Sequence, residues 1–177
     1  MKRLTIILSS LTLSFCMAQQ REIEPSLLAE IESDVWIPFM EAYADLDAAK
    51  LKSIHTEDIF RVTLDNNTVR TGIPYLERFG GFLESTKANE GGLGIAFALV
   101  STAINETKDL VYQTGYYEFS SKNAEEPQPL VRGYGFFTVG IRKTEMGWKL
   151  FHDVDKRVDL TREIFEAQLQ VYRLARN

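Results

Sequence analysis

The sequence predicts an α+β fold: helices first, then a long curved antiparallel sheet, then a closing helix. Three observations carry this. Apolar residues recur at helical spacing through the first half, β-branched and aromatic residues alternate from Gly94 to Lys156, and a last helical stripe follows Asp159. With 177 residues, 45% hydrophobic and 25% charged, and with 5 Pro and 11 Gly, the composition fits one globular domain and excludes collagen-like and low-complexity chains.

From Glu24 to Leu46, residues Leu27, Ile31, Val35, Phe39, Tyr43 and Leu46 form one helical face, and Pro38 predicts a kink or a fresh start near Asp34. A second helix is expected after Asp47, ending near His55 or Thr56. Phe60 to Leu64 reads as a strand stopped by the turn Asp65-Asn66-Asn67, and Pro74 to Lys87 as a third helix closed by Gly91-Gly92. Four antiparallel strands follow: Ile95 to Asn105, Leu110 to Ser120, Leu130 to Lys143, and Trp148 to Lys156. Asp159 is then expected to N-cap a helix with the stripe Leu160, Ile164, Ala167, Val171 and Leu174.

Residues 1–18 are not expected to belong to this fold. Lys2 and Arg3 precede a short apolar run from Leu4 to Phe15, and Ala18 ends a cleavage pattern before Gln19, so an exported domain of residues 19–177 is expected. An alternative reads Leu13-Ser14-Phe15-Cys16 as a lipid-attachment site, but bulky Phe15 stands where a small residue is wanted. Removing the leader takes away Lys2 and Arg3 and no acidic group, so the formal charge moves from −5 to −7, which disfavours nucleic acid as a partner. No second apolar stretch is long enough to span a membrane. The lone Cys16 and two distant histidines, His55 and His152, offer no metal-ligand spacing, and phosphate- and dinucleotide-binding motifs are missing, so neither a metal nor a cofactor is expected.

The order helix, Asp45-Leu46-Asp47, short helix, Thr56-Glu57-Asp58-Ile59-Phe60-Arg61-Val62, Gly72, helix, then long strands ending Gly147-Trp148-Lys149-Leu150 resembles the nuclear transport factor 2-like superfamily. It is most similar to the SnoaL-like and ketosteroid-isomerase-like branch, over about Ile31 to Val158. The resemblance implies a cone, with a bent sheet wrapped around helices and a pocket opening between them. It also implies, for the isomerases, an Asp base, a Tyr and a protonated Asp. The matching positions here fall near Thr63, Ile37 and Val139, so steroid-isomerase chemistry is not expected.

Strand alternation then assigns faces. With Thr144 to Gly147 as the hairpin loop, Lys143 pairs with Trp148 and Val139 with His152. That places Phe137, Val139, Ile141, Leu150, His152 and Val154 inside, and sends Asp153 and Asp155 outward to pair with Arg132, Arg142 or Arg157. Val111, Gln113, Gly115, Tyr117 and Phe119 form the inner set of their strand. Period two separates Arg61 and Thr63 from Phe60, Val62 and Leu64, and the resemblance turns the Arg61 and Thr63 set toward the cavity.

The candidate ligand-binding residues are therefore Arg61, Thr63, Gln113, Tyr117 and His152. An imidazole among apolar neighbours suits a general acid or base, or a core histidine with one partner. His55, placed at a helix C-terminus, suits a partly positive structural ring. Arg61 could orient a carboxylate through its planar fork, or pair at the surface with Asp58 or Asp65. Gln113 and Tyr117 could fix a ligand or fill the core. The expected function is an exported protein binding a small, partly apolar and acidic molecule. The rivals are a cavity enzyme of the cyclase, dehydratase or isomerase kind acting through His152, and a ligand-free module serving homodimerisation.

Overall fold

The computed structural model describes residues 23–168 and 170–175, so the expected export signal lies outside the described residues. Helix α1 (Pro25–Ile31) runs through a widened π turn (Glu32–Trp36) into α2 (Ile37–Asp45). Pro38 has no N–H for the carbonyl of Asp34, and the ladder opens to the wider turn just ahead of it, where a break is expected. The Asp47 side chain accepts the Lys50 N–H at 2.9 Å and starts α3 (Ala48–Ser53). Then come β1 (His55–Thr63), β2 (Thr68–Thr71), α4 (Gly72–Ala88), β3 (Gly92–Ile104), β4 (Leu110–Lys122), β5 (Leu130–Thr144), β6 (Gly147–Val158), α5 (Arg162–Glu166) and β7 (Gln170–Tyr172).

The strands form one curled sheet in the order β2-β1-β6-β5-β4-β3-β7, with β1 parallel to β6 and the other neighbours antiparallel. The α1–α2 arm, with α3 and α4, fills the concave side. Leu27, Ile31, Val35, Trp36 and Phe39 meet Leu83, Phe97, Val111, Phe137, Ile141, Trp148 and Leu150 in the main core. Rings dominate it: Trp36 lies 4.6 Å from Phe97 and 5.5 Å from Phe137, centroid to centroid. The β5–β6 turn is pinned to the arm, because Asp34 Oδ2 accepts the Trp148 N–H at 2.9 Å. Gly147 is required there: its φ is +93°, and a Cβ would stand 2.5 Å from Asp34 Oδ2.

The closing element differs from expectation. The helix after Asp159 is only α5, capped by Thr161 instead, and the chain then pairs with the open edge of β3, Phe97 opposite Tyr172. Backbone groups on that edge need partners, and Val171 and Tyr172 suit a strand. Phe165 of α5 packs with Ala96 and Ala98 on the convex side of the sheet. His55 also differs, because it opens β1 instead of closing a helix, and it is buried among Phe39, Tyr75 and Phe79. Burial lowers its pKa to about 4, so the ring is neutral at pH 7.

Candidate functional site

Between the helices and the concave sheet lies a cavity of about 470 Å³. Trp36, Phe39, Phe79, Phe97, Phe119 and Phe137 line much of it. One wall is polar. It is made by Arg61 of β1, Tyr117 of β4, and Asp153 and Asp155 of β6.

A single bulged residue decides which side chains of β6 face inward. Lys143 pairs with Trp148 as expected, and Ile141 with Leu150, but Gly140 pairs with His152, leaving Phe151 as an extra residue. From there the phase of the strand is reversed. Val139 faces Asp153, not His152, so Asp153 and Asp155 turn inward while His152 and Val154 turn outward. The expected outward placement of the two aspartates and the inward placement of His152 and Val154 are thereby corrected.

The inward carboxyl groups meet Arg61, which the parallel β1–β6 register sets beside Asp153. Arg61 Nη1 donates to Asp153 Oδ2, and Nη2 lies 2.9 Å from Asp155 Oδ1, an ion pair without hydrogen-bond alignment. The Tyr117 hydroxyl donates to Asp155 Oδ2 at 3.1 Å. Burial raises the Asp155 pKa and the Asp153 charge adds to it, against the pull of Arg61 and Tyr117. Burial alone would lower the Arg61 pKa, but Asp153, Tyr75 and Asp155 raise it further, so the guanidinium stays charged. The wall thus holds two carboxyl groups against one cation.

Tyr117 reaches Asp155 across β5 because Gly135 lies between. A Cβ at Gly135 would fall 2.1 Å from Tyr117 Cζ, so the ring lies flat where any other residue would stand.

Of the expected site residues, the structure brings Arg61 and Tyr117 into the cavity. Gln113 faces inward but is buried to 1% in the core, accepting from Trp36 Nε1 at 2.9 Å and donating to Thr102 Oγ1 at 3.2 Å. Thr63 opposes Asp155 and Thr68 beyond the cavity lining. His152 sits on the convex face, with ring centroids 5.7 Å from Phe60 and 5.9 Å from Tyr112. The surface partners considered for Arg61 are engaged elsewhere: Asp58 with Arg142 at 2.5 Å, and Asp65 with the Arg157 N–H at 2.6 Å.

Sequence reasoning missed Asp153 and Asp155. A signal was present. An inward Arg61 needs a carboxylate within the cavity, and uninterrupted alternation in the last strand provided none.

No sequence-family model and no curated protein matches the chain. Solved structures do. A nuclear transport factor 2-like protein with a cystatin-like fold from Novosphingobium aromaticivorans superposes with a TM-score of 0.60 at 13% identity, covering 82% of this chain and 90% of its own. This chain has the nuclear transport factor 2-like fold. A ketosteroid isomerase-like protein from Erwinia carotovora atroseptica shares the nuclear transport factor 2-like architecture at a TM-score of 0.56 and 14% identity, over 77% of this chain and all of that one (100%). Aln2 from a Streptomyces species reaches a TM-score of 0.63 at 14% identity, over 77% and 94%. Within the nuclear transport factor 2-like cone of this chain, the acidic side chains come from β6, while Thr63 and Val139 occupy the positions where the isomerase resemblance would put acids.

Among the described residues, no group of His, Cys, Asp and Glu is placed to hold a metal ion, and no helix is long and apolar enough to cross a membrane.

Proposed function

We propose that the protein binds one ring-bearing, mostly apolar small molecule in this cavity, with a neutral polar group of the ligand at the Arg61–Asp155–Tyr117 wall. The aromatic lining carries the reading: stacked and edge-on rings around about 470 Å³ suit a flat molecule of ordinary ligand size. One fold neighbour is described as ketosteroid isomerase-like, and a ring-bearing ligand is in keeping with that description. The acidic ligand expected at Arg61 fits poorly, because the guanidinium is already engaged by two carboxyl groups. A hydroxyl or carbonyl group meets no such repulsion.

Calorimetry with the neutral probes 1-naphthol and 1-anilinonaphthalene tests this. One equivalent should bind, and Val139→Phe, which projects a ring into the same space, should weaken binding by about tenfold or more. Absence of saturable binding by either probe would overturn the reading. The export expectation belongs to the same proposal and rests on residues 1–18. Mass analysis of the mature chain should find Gln19 first, whereas a lipidated Cys16 would replace soluble export with membrane anchoring.

A second reading, acid–base catalysis, is favoured by one observation: Asp155 lines the cavity with a raised pKa beside a tyrosine hydroxyl. Catalysis through His152 loses its support, since the imidazole lies on the convex face. That face suits the homodimer reading instead, with Phe60 at 41% and Tyr112 at 39% exposure around the ring of His152.

A further inference from the structure

The mouth of the cavity carries charge of the opposite sign to its polar wall. Arg132 and Arg157, both exposed, line the same cavity as Trp36 and Phe137. Arg132 is aimed there by a bulge: Phe119 pairs with Gly133 and Ser120 with Val131, so Arg132 is the extra residue of β5. It is also held in place. Its Nε donates to Ser121 Oγ at 3.1 Å and its Nη2 to Glu126, whose carboxylate accepts the Asn123 N–H at 2.9 Å. Next to Arg132 the wall is open, as a Cβ at Gly133, another lining residue, would meet nothing within 4 Å.

Arg157 extends the inward series of Asp153 and Asp155 by one more position, opposite Gly135. Among the described residues its guanidinium pairs with no carboxylate, unlike those of Arg61, Arg132, Arg142 and Arg173. A cation left free at the entrance of the cavity attracts anions. The interior wall, with two carboxyl groups to one guanidinium, repels the same anions.

We infer that the mouth is an anion subsite, and that the ligand is an amphiphilic organic acid bound with its ring body inside and its carboxylate, sulfate or phosphate outward on Arg157 and Arg132. This rests on the binding reading above and assigns the charged end of the same ligand. The two charge sets together fix one orientation: an anion turned inward meets Asp153 and Asp155, whereas one turned outward meets a guanidinium fork suited to two oxygens.

The test compares 8-anilinonaphthalene-1-sulfonate with neutral 1-anilinonaphthalene, by fluorescence and by calorimetric stoichiometry. The wild type should bind one equivalent of the sulfonate about tenfold tighter than the neutral probe, and added salt should erode the difference. Arg157→Gln combined with Arg132→Gln should abolish the preference while leaving neutral-probe affinity within about twofold. Arg157→Lys, which keeps the charge, should retain part of it. If the neutral probe binds and the sulfonate binds no tighter, or if the preference survives the double substitution, the anion subsite is wrong and the cavity reading stands. If neither probe binds the wild type, the cavity reading fails, and the subsite with it.

Discussion

Beyond Phe151, the two faces of β6 invert the usual division between interior and surface. Inside, Asp153 and Asp155 hold charge away from water against Arg61. Outside, His152 lies among Phe60, Tyr112 and Phe151, with two of those rings well exposed. A core built for stability alone would gain more from apolar residues at Arg61, Asp153 and Asp155, since buried ion clusters seldom repay their desolvation. The inversion therefore supports the proposal that the inner face is a ligand wall, and it leaves apolar rings exposed on the outer face.

The largest test of that contrast is Arg61→Leu. Leaving two buried carboxyl groups without their cation should cost about 3 to 5 kcal/mol at neutral pH, measured by urea unfolding. The sign of its pH dependence follows from Asp155, whose folded pKa lies above the ordinary 3.8. Arg61 lowers that pKa, so its loss raises it further, the native variant holds protons that the unfolded chain has released, and the penalty should shrink as pH falls from 7 toward the ordinary carboxylate range. A penalty that is small, or that does not change with pH, would mean the wall is solvated.

Gly135→Ala should have an intermediate effect of about 1 to 3 kcal/mol, because the new methyl group displaces the Tyr117 ring and breaks its bond to Asp155. Combining it with Tyr117→Ala should remove most of the added cost, a coupling that a double-mutant cycle in thermal unfolding reads directly. Independent, additive losses would contradict the packing of that ring across β5.

The smallest effect should come from the convex face: His152→Ala should change the affinity of 1-naphthol by less than about twofold in calorimetry. A loss of tenfold would bring His152 into the site and restore the uninterrupted phase of the strand.

The long strands were legible because alternation persists over ten or more residues in β3 to β6, and the Lys143–Trp148 pairing followed from turn chemistry. The inner placement of Tyr117 was legible for the same reason, whereas that of Arg61 came from the family resemblance, since period two alone only separated its face from that of Phe60. Face assignments failed where a bulge intervened, since an extra residue leaves composition and turn positions unchanged and alters only phase. The mark of this bulge lies on the facing strand, where the Phe151 ring occupies the space a Cβ at Gly140 would need, 2.7 Å from its Cζ, and nothing in Phe151-His152 itself reveals it. Elements set by neighbours were also hidden. The stripe Leu160, Ile164, Ala167, Val171, Leu174 satisfies a helical period, yet the open edge of β3 takes Gln170–Tyr172 as a strand. The four residues of β2 are held beside β1 by a pairing too short to show periodicity.

The parallel seam between β1 and β6 also sets the order in which this molecule can be completed. Arg61 and Asp153 are 92 residues apart in sequence, and no shorter path through the chain brings them together. As the chain emerges from its N-terminus, β1 and the helical arm exist long before the strand that lies beside them. Until β6 inserts between β1 and β5, the first hairpin and the later meander are separate pieces, and Arg61 stands in water with its charge uncompensated. Closure of this seam is a long-range pairing, of the kind that slows folding. The polar wall of the cavity and the joining of the first hairpin to the later meander thus depend on the same strand, β6.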